Sequence, residues 1–164
     1  GNSGAFRLCI ELTQIHKANI YYFVEDDHLH LPGQKEWINE GLKLFDFVSL
    51  YDHPDKYIFP MYKELKRKIY LTKVGYFAST PSTVMTFACL SKTLIKAKKI
   101  LLDERLTGKD LPTPIDHFLF ILLFQQGFTL GTPMPGRSTH CEEQGLSPYI
   151  NWRKYIKDIN FNKY

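Results

Sequence analysis

A chain of 164 residues is long enough for one domain with a buried core. Its hydrophobic share of 44% excludes a disordered composition, and its mild net charge of +4 argues against a nucleic-acid binder. No run approaches the ~20 apolar residues of a membrane span, so no transmembrane segment is expected. Aromatic residues make up 15% of the chain, which suits a dense core and equally a sugar-binding cleft.

Residues 4 to 17 place Phe6, Cys9, Ile10 and Leu12 at helical spacing, with Ser3 available as N-cap and Asn19 as the stop. Ile20-Tyr21-Tyr22-Phe23-Val24 then reads as a strand buried on both faces, as in a parallel sheet. It runs straight into Glu25, Asp26, Asp27, His28 and His30. A helix is expected from Gln34 to Leu44, and a second strand from Phe45 to Leu50 that also ends in a polar cluster, Asp52-His53-Pro54-Asp55-Lys56. Short strands are expected near 68–72 and 75–79, and another over Val84 to Leu90.

Ser91 is positioned to cap a helix reaching Leu106. Thr113-Pro114 reads as the start of another, with Pro at the favoured first position. Its expected core face is Ile115, Phe118, Leu119, Leu122 and Leu123, and Gly127 is its stop. Gly131 to Pro148 reads as an ordered loop over a site, followed by a last helix over Tyr149 to Lys157. Alternating strands and helices without repeats indicate an α/β sheet.

Three cysteines, Cys9, Cys89 and Cys141, show no CxxC spacing. A disulfide framework is therefore not expected, and a reducing, cytoplasmic location is. The chain opens at Gly1 without Met, so a cloning remnant and missing upstream sequence both fit.

Ligands of open α/β sheets bind beyond the carboxyl ends of the strands. Three consecutive carboxylates at such an edge repel one another, and a divalent cation with hard oxygen ligands relieves that repulsion. The alternative is an acidic solvent-facing turn; the buried strand feeding it favours the cation. His28 and His30 form an HxH pair that hints at zinc, but no further zinc motif accompanies it. Lys63 to Lys68 is either a solvated face or a patch for a phosphate-bearing ligand. Asp52, His53, Asp55 and Lys56 either line a cleft or cap the turn around Pro54.

The run YYFVEDDHLH resembles the metal-binding "DxD" element of GT-A fold nucleotide-sugar glycosyltransferases, of the family-2-like kind. Gly1-Asn2-Ser3-Gly4 with its helix is similar to the segment those enzymes place before that strand. Thr113-Pro114-Ile115-Asp116 stands where they keep an acidic catalytic-base motif, and Pro135 to His140 where many supply a late metal-binding His. The resemblance implies a single-domain, Rossmann-like mixed sheet flanked by helices. It also implies upstream nucleotide-binding strands that nothing before Gly1 provides.

By the same resemblance Glu25, Asp27 and His140 would hold Mn²⁺ or Mg²⁺, and Asp116 would deprotonate the acceptor. Thr80, Ser82 and Thr83 would lie near the donor sugar. The implied activity is hexosyl transfer from a nucleotide-sugar donor to a glycan or other hydroxyl acceptor, with inversion. On the residues alone, Asp116 could equally complete a capping box with Thr113. A metal-dependent phosphodiesterase or nuclease and a non-catalytic carbohydrate-binding module are the alternatives.

Overall fold

A computed structural model describes residues 2–156. Its strands are β1 (Ile20–Phe23), β2 (His28–His30), β3 (Phe47–Val48), β4 (Ile69–Leu71), β5 (Tyr76–Ser79), β6 (Phe87–Leu90), β7 (Leu130–Met134) and β8 (Ser138–His140). The helices are α1 (Asn2–Leu12), α2 (Gln34–Gly41), α3 (Asp55–Ile58), α4 (Ser91–Leu101), α5 (Glu104–Thr107), α6 (Asp116–Gln125) and α7 (Arg153–Ile156).

Six strands form one mixed sheet in the order β1-β6-β3-β7-β5-β4, and β2 pairs with β8 as a separate ribbon. The antiparallel strand β6 lies between β1 and β3, while β3 and β7 run parallel. The expected α/β class with a mixed sheet is therefore present.

Period-two alternation splits the core into two layers. Phe47, Phe87 and Cys89 face the side covered by α1, α4 and α6, where they meet Phe6, Ile10, Leu101 and Phe120. Val48 and Ala88 face the other side and pack with Ile38 of α2, Phe45 and Phe77. Phe87 is the hub of the first layer, with the rings of Phe6, Phe23, Phe47 and Phe120 arranged around it at centroid distances of 5.3–6.3 Å.

Several expectations need correction. Within the described residues β1 is an edge strand, paired only with the antiparallel β6. Only Phe23 of it is buried, and Val24 is exposed. α1 starts before Ser3 and stops at Leu12, so Ser3 is a buried helical residue and not a cap. Ser91 is the first helical residue of α4, which ends at Leu101; Asp103 caps the separate α5 by accepting the Arg105 N–H.

α6 begins at Asp116, so Pro114 precedes it. That helix is apolar on nearly every side and not amphipathic. Leu119, Phe120 and Leu123 are in the core, whereas Ile115 and Phe118 are exposed. Gly127 does end it, at φ 83°: its N–H reaches the Phe124 carbonyl and the Phe128 N–H reaches that of Leu123.

The expected loop of 131–148 contains β7 and β8 instead. Val84 and Met85, expected in a strand, both have positive φ. The expected last helix is a single turn from Arg153, and Lys157, like Gly1, lies outside the described residues.

Candidate metal centre

The chain leaves β1 at Phe23, and Glu25 to Asp27 turn it sharply into β2. The β2–β8 register sets His28 opposite His140 and His30 opposite Ser138. The ladder is continued at both ends, because the Cys141 N–H donates to the Asp27 carbonyl at 2.9 Å and the Leu31 N–H to that of Arg137. The ribbon is anchored to the sheet where the Arg137 and Ser138 N–H groups both donate to the Leu50 carbonyl, just past β3. The Cys141–Asp27 and Leu31–Arg137 bonds join residues more than a hundred positions apart beside the acidic turn.

Glu25, Asp27 and His28 each offer a ligand atom, and the three atoms lie within 4.8 Å of one another. His140 approaches from the other strand, its Nε2 2.9 Å from Asp27 Oδ2. Thus Glu25 and Asp27 are brought together with His28, and His140 reaches the group through Asp27. The acids open on a cleft of about 450 Å³ whose walls include Asn2, Phe6, Phe23, Met85 and Pro114, a volume in the range of small-ligand sites. Asn2 Nδ2 donates to Glu25 Oε1 at 3.3 Å.

Burial, then the neighbouring Asp27, pushes the Glu25 carboxyl above its ordinary value, with Asp116 adding to the shift and His140 opposing it. Burial also drives His28 down to about 3, so its imidazole is neutral. A cation placed among these groups would favour the ionised carboxylates and accept the neutral imidazole, so the donor set fits one.

The two histidines differ in how their nitrogens are used. The Glu142 N–H donates to His140 Nδ1 at 3.1 Å. In the neutral ring the proton is then on Nε2, where it donates to Asp27. Gly145 packs on that ring so closely that a Cβ there would meet His140 Nδ1 at 3.2 Å, which holds its plane. Both nitrogens of His28 are buried without any hydrogen-bond partner. The rings of Tyr51 and His140 stand perpendicular to it at 4.8 and 5.4 Å and fix its orientation. His30 is engaged elsewhere, its Nε2 2.6 Å from the Tyr22 hydroxyl, so the HxH pair does not act as a unit.

Asp116 sits at the first position of α6, with Glu25 close enough to feel its charge. Its Oδ2 accepts the N–H groups of Thr83 at 3.1 Å and Val84 at 2.7 Å. The carboxylate therefore pins the loop in which Val84 and Met85 adopt φ 54° and 58°. No capping box with Thr113 forms. Of the three residues expected near a donor sugar, Thr83 touches this region only through that bond. Thr80 lies in a different hollow with Phe45, Lys66, Tyr70 and Phe128, and neither it nor Ser82 lines the acidic cleft.

The polar cluster after β3 is largely internal. Asp52 is fully buried, accepting from the Tyr57 hydroxyl at 2.5 Å and lying 3.2 Å from Arg67 Nη2. Lys56 is buried against Asp55 at 3.3 Å, and burial lowers its ammonium below the ordinary range while Asp55 and Asp52 oppose the shift. Such a mutually paired set holds the turn around Pro54. Arg67, from the basic run, is spent on Asp52, Tyr57 and the Ser79 carbonyl, so that run does not act as one phosphate patch.

His28 was legible as half of an HxH pair but not as the partner of the two acids, because only the ribbon's register reveals which histidine is left unbonded. The three cysteines are free, and no helix among the described residues is long and apolar enough to cross a membrane. Compared with known protein families, curated proteins and solved structures, the chain matches none.

Proposed function

We propose that this chain is the metal- and acceptor-binding part of a glycosyltransferase that moves a sugar from a nucleotide-sugar donor to a hydroxyl acceptor, with inversion. The observation that carries the reading is the convergence of Glu25, Asp27 and His28 just after β1, with the two acids on the wall of a ligand-sized cleft. The Asp116 carboxylate at the start of α6 is near enough to Glu25 to add to the upward shift of its carboxyl.

In this reading Glu25 and Asp27 hold a divalent cation, Mn²⁺ or Mg²⁺, against the donor diphosphate. When bound, that ion offsets the negative charge developing on the leaving group. Phe6, Phe23 and Met85 supply an apolar wall that limits water. Asp116 keeps Oδ2 on the loop N–H groups and offers Oδ1 to the acceptor hydroxyl, taking its proton as the oxygen attacks the anomeric carbon. One displacement inverts that carbon.

A thermal-shift panel tests the reading. Stabilisation by nucleoside diphosphates only with Mn²⁺ supports it; about 2.7 kcal/mol is expected at a hundredfold excess over Kd. A response to oligonucleotides points to a nuclease, and a response to free glycans alone to a binding module; either result overturns it.

A further inference from the structure

We infer that His28, and not His140, is the imidazole ligand of the cation at Glu25 and Asp27, and that the site selects a d-block divalent ion over Mg²⁺. The inference rests on the metal-binding half of the reading above and needs nothing from sugar transfer.

A histidine ligates a metal through the lone pair of an unprotonated nitrogen, and it commonly donates from the other. His140 is arranged the opposite way. Its Nδ1 lone pair is occupied by the Glu142 N–H at 3.1 Å, which leaves the proton on the Nε2 that faces Asp27. To ligate through Nε2 it would have to give up both bonds. In its present state it is a donor to Asp27, aiming that carboxylate from behind.

His28 carries no such commitment. Neither ring nitrogen has a partner although both are buried, and an unsatisfied buried polar group is destabilising. One of them lies within 4.8 Å of carboxylate oxygens from both Glu25 and Asp27. Ligands around a cation at about 2.1 Å stand no more than ~4.2 Å apart, so small side-chain movements close the shell. The perpendicular rings of Tyr51 and His140 prevent His28 from swinging away. Two carboxylates and one imidazole form a mixed O,O,N set. Carboxylate and water alone suit Mg²⁺, whereas an imidazole favours the first-row transition ions.

The test uses the full chain with Mn²⁺ as probe and no nucleotide or sugar present. Calorimetry gives affinities, and the electron spin echo of bound Mn²⁺ reports directly bonded imidazole nitrogen. The wild type should show the nitrogen signal and bind Mn²⁺ more tightly than Mg²⁺. His140→Gln should keep the signal, with affinity lowered by about 10–100-fold, the usual effect of removing an orienting partner. His28→Gln should lose the signal and at least as much Mn²⁺ affinity, with Mg²⁺ binding nearly unchanged.

A wild type without nitrogen signal, equal affinity for the two ions, or a signal that survives His28→Gln overturns the inference. If His28→Gln does not fold, His140→Gln alone decides: a retained signal supports His28 and a lost one refutes it. Absence of sugar transfer in a chain that keeps the signal would count against the transferase reading alone.

Discussion

Asp116 has two separable duties, and substitution can part them. Its Oδ2 accepts two backbone N–H groups, from Thr83 and Val84, and so fixes a loop with consecutive positive-φ residues, one of them β-branched. Hydrogen bonds to a charged group contribute about 1.5–3 kcal/mol each. The left-handed backbone of Val84 and Met85 costs about 1–3 kcal/mol each, and partial relaxation of the loop returns part of that. Asp116→Ala should therefore cost about 2–4 kcal/mol net, a fall in Tm of roughly 5–15 °C for a domain of this size. Asp116→Asn keeps one oxygen for both N–H groups and should melt within a few degrees of wild type.

Chemistry separates the same two variants in the other direction. General-base assistance is worth about a hundred- to ten-thousandfold in rate, so Asn should lose turnover on that scale while metal-dependent donor affinity stays near wild type. Melting curves and steady-state kinetics with a nucleotide-sugar, the product anomer assigned by NMR, measure both. Near-normal turnover in Asp116→Asn, or a retained anomer, would refute the base. Wild-type stability in Asp116→Ala would refute the loop argument independently.

Other outcomes follow from the same geometry. Asp27→Asn should abolish Mn²⁺-dependent binding of a nucleoside diphosphate in calorimetry with the fold intact, since the side chain is half exposed and supports no core contact; unchanged affinity would remove the acid from the metal site. Without metal, stability should fall as pH drops from about 6.5 towards about 3, because the unfolded chain protonates His28 there while the folded chain, with burial holding His28 at about 3, does not. Burial lowers His30 too, so it acts in the same direction; for His28 the slope is at most about 1.4 kcal/mol per pH unit. Urea titrations in EDTA should show a shallower slope for His28→Gln. Gly131→Ala would place a Cβ 2.3 Å from the Phe45 ring and should cost about 1–3 kcal/mol by overpacking, read from the urea midpoint.

The acidic turn was legible because its signal is local. An apolar strand running into Glu25-Asp26-Asp27 needs no partner to be recognised, and the same holds for α2, the β4–β5 pair and the Gly127 stop. Misreadings fell where local preference and tertiary context disagree. The run DHFLFILLFQ fits an amphipathic register but packs as an apolar segment with Phe120 inward and Phe118 outward. Gly131 to Pro148 is rich in turn formers, yet β3 and β5 are in place to take β7 as a partner, and β2 to take β8.

The sequence by itself determined the α/β class and the acids at the end of β1, both consequences of short-range pattern. Only the tertiary structure decided which histidine is free. That choice depends on β2 meeting β8 across more than a hundred residues in one register, with the Glu142 N–H taking the lone pair of His140 and nothing taking those of His28. It also decided that Asp116 holds a strained loop, because the N–H groups it satisfies belong to residues thirty-two and thirty-three positions away. Hydrogen bonds over such separations leave no local pattern in the chain, since any one residue's partner is set by the packing of all the elements between them.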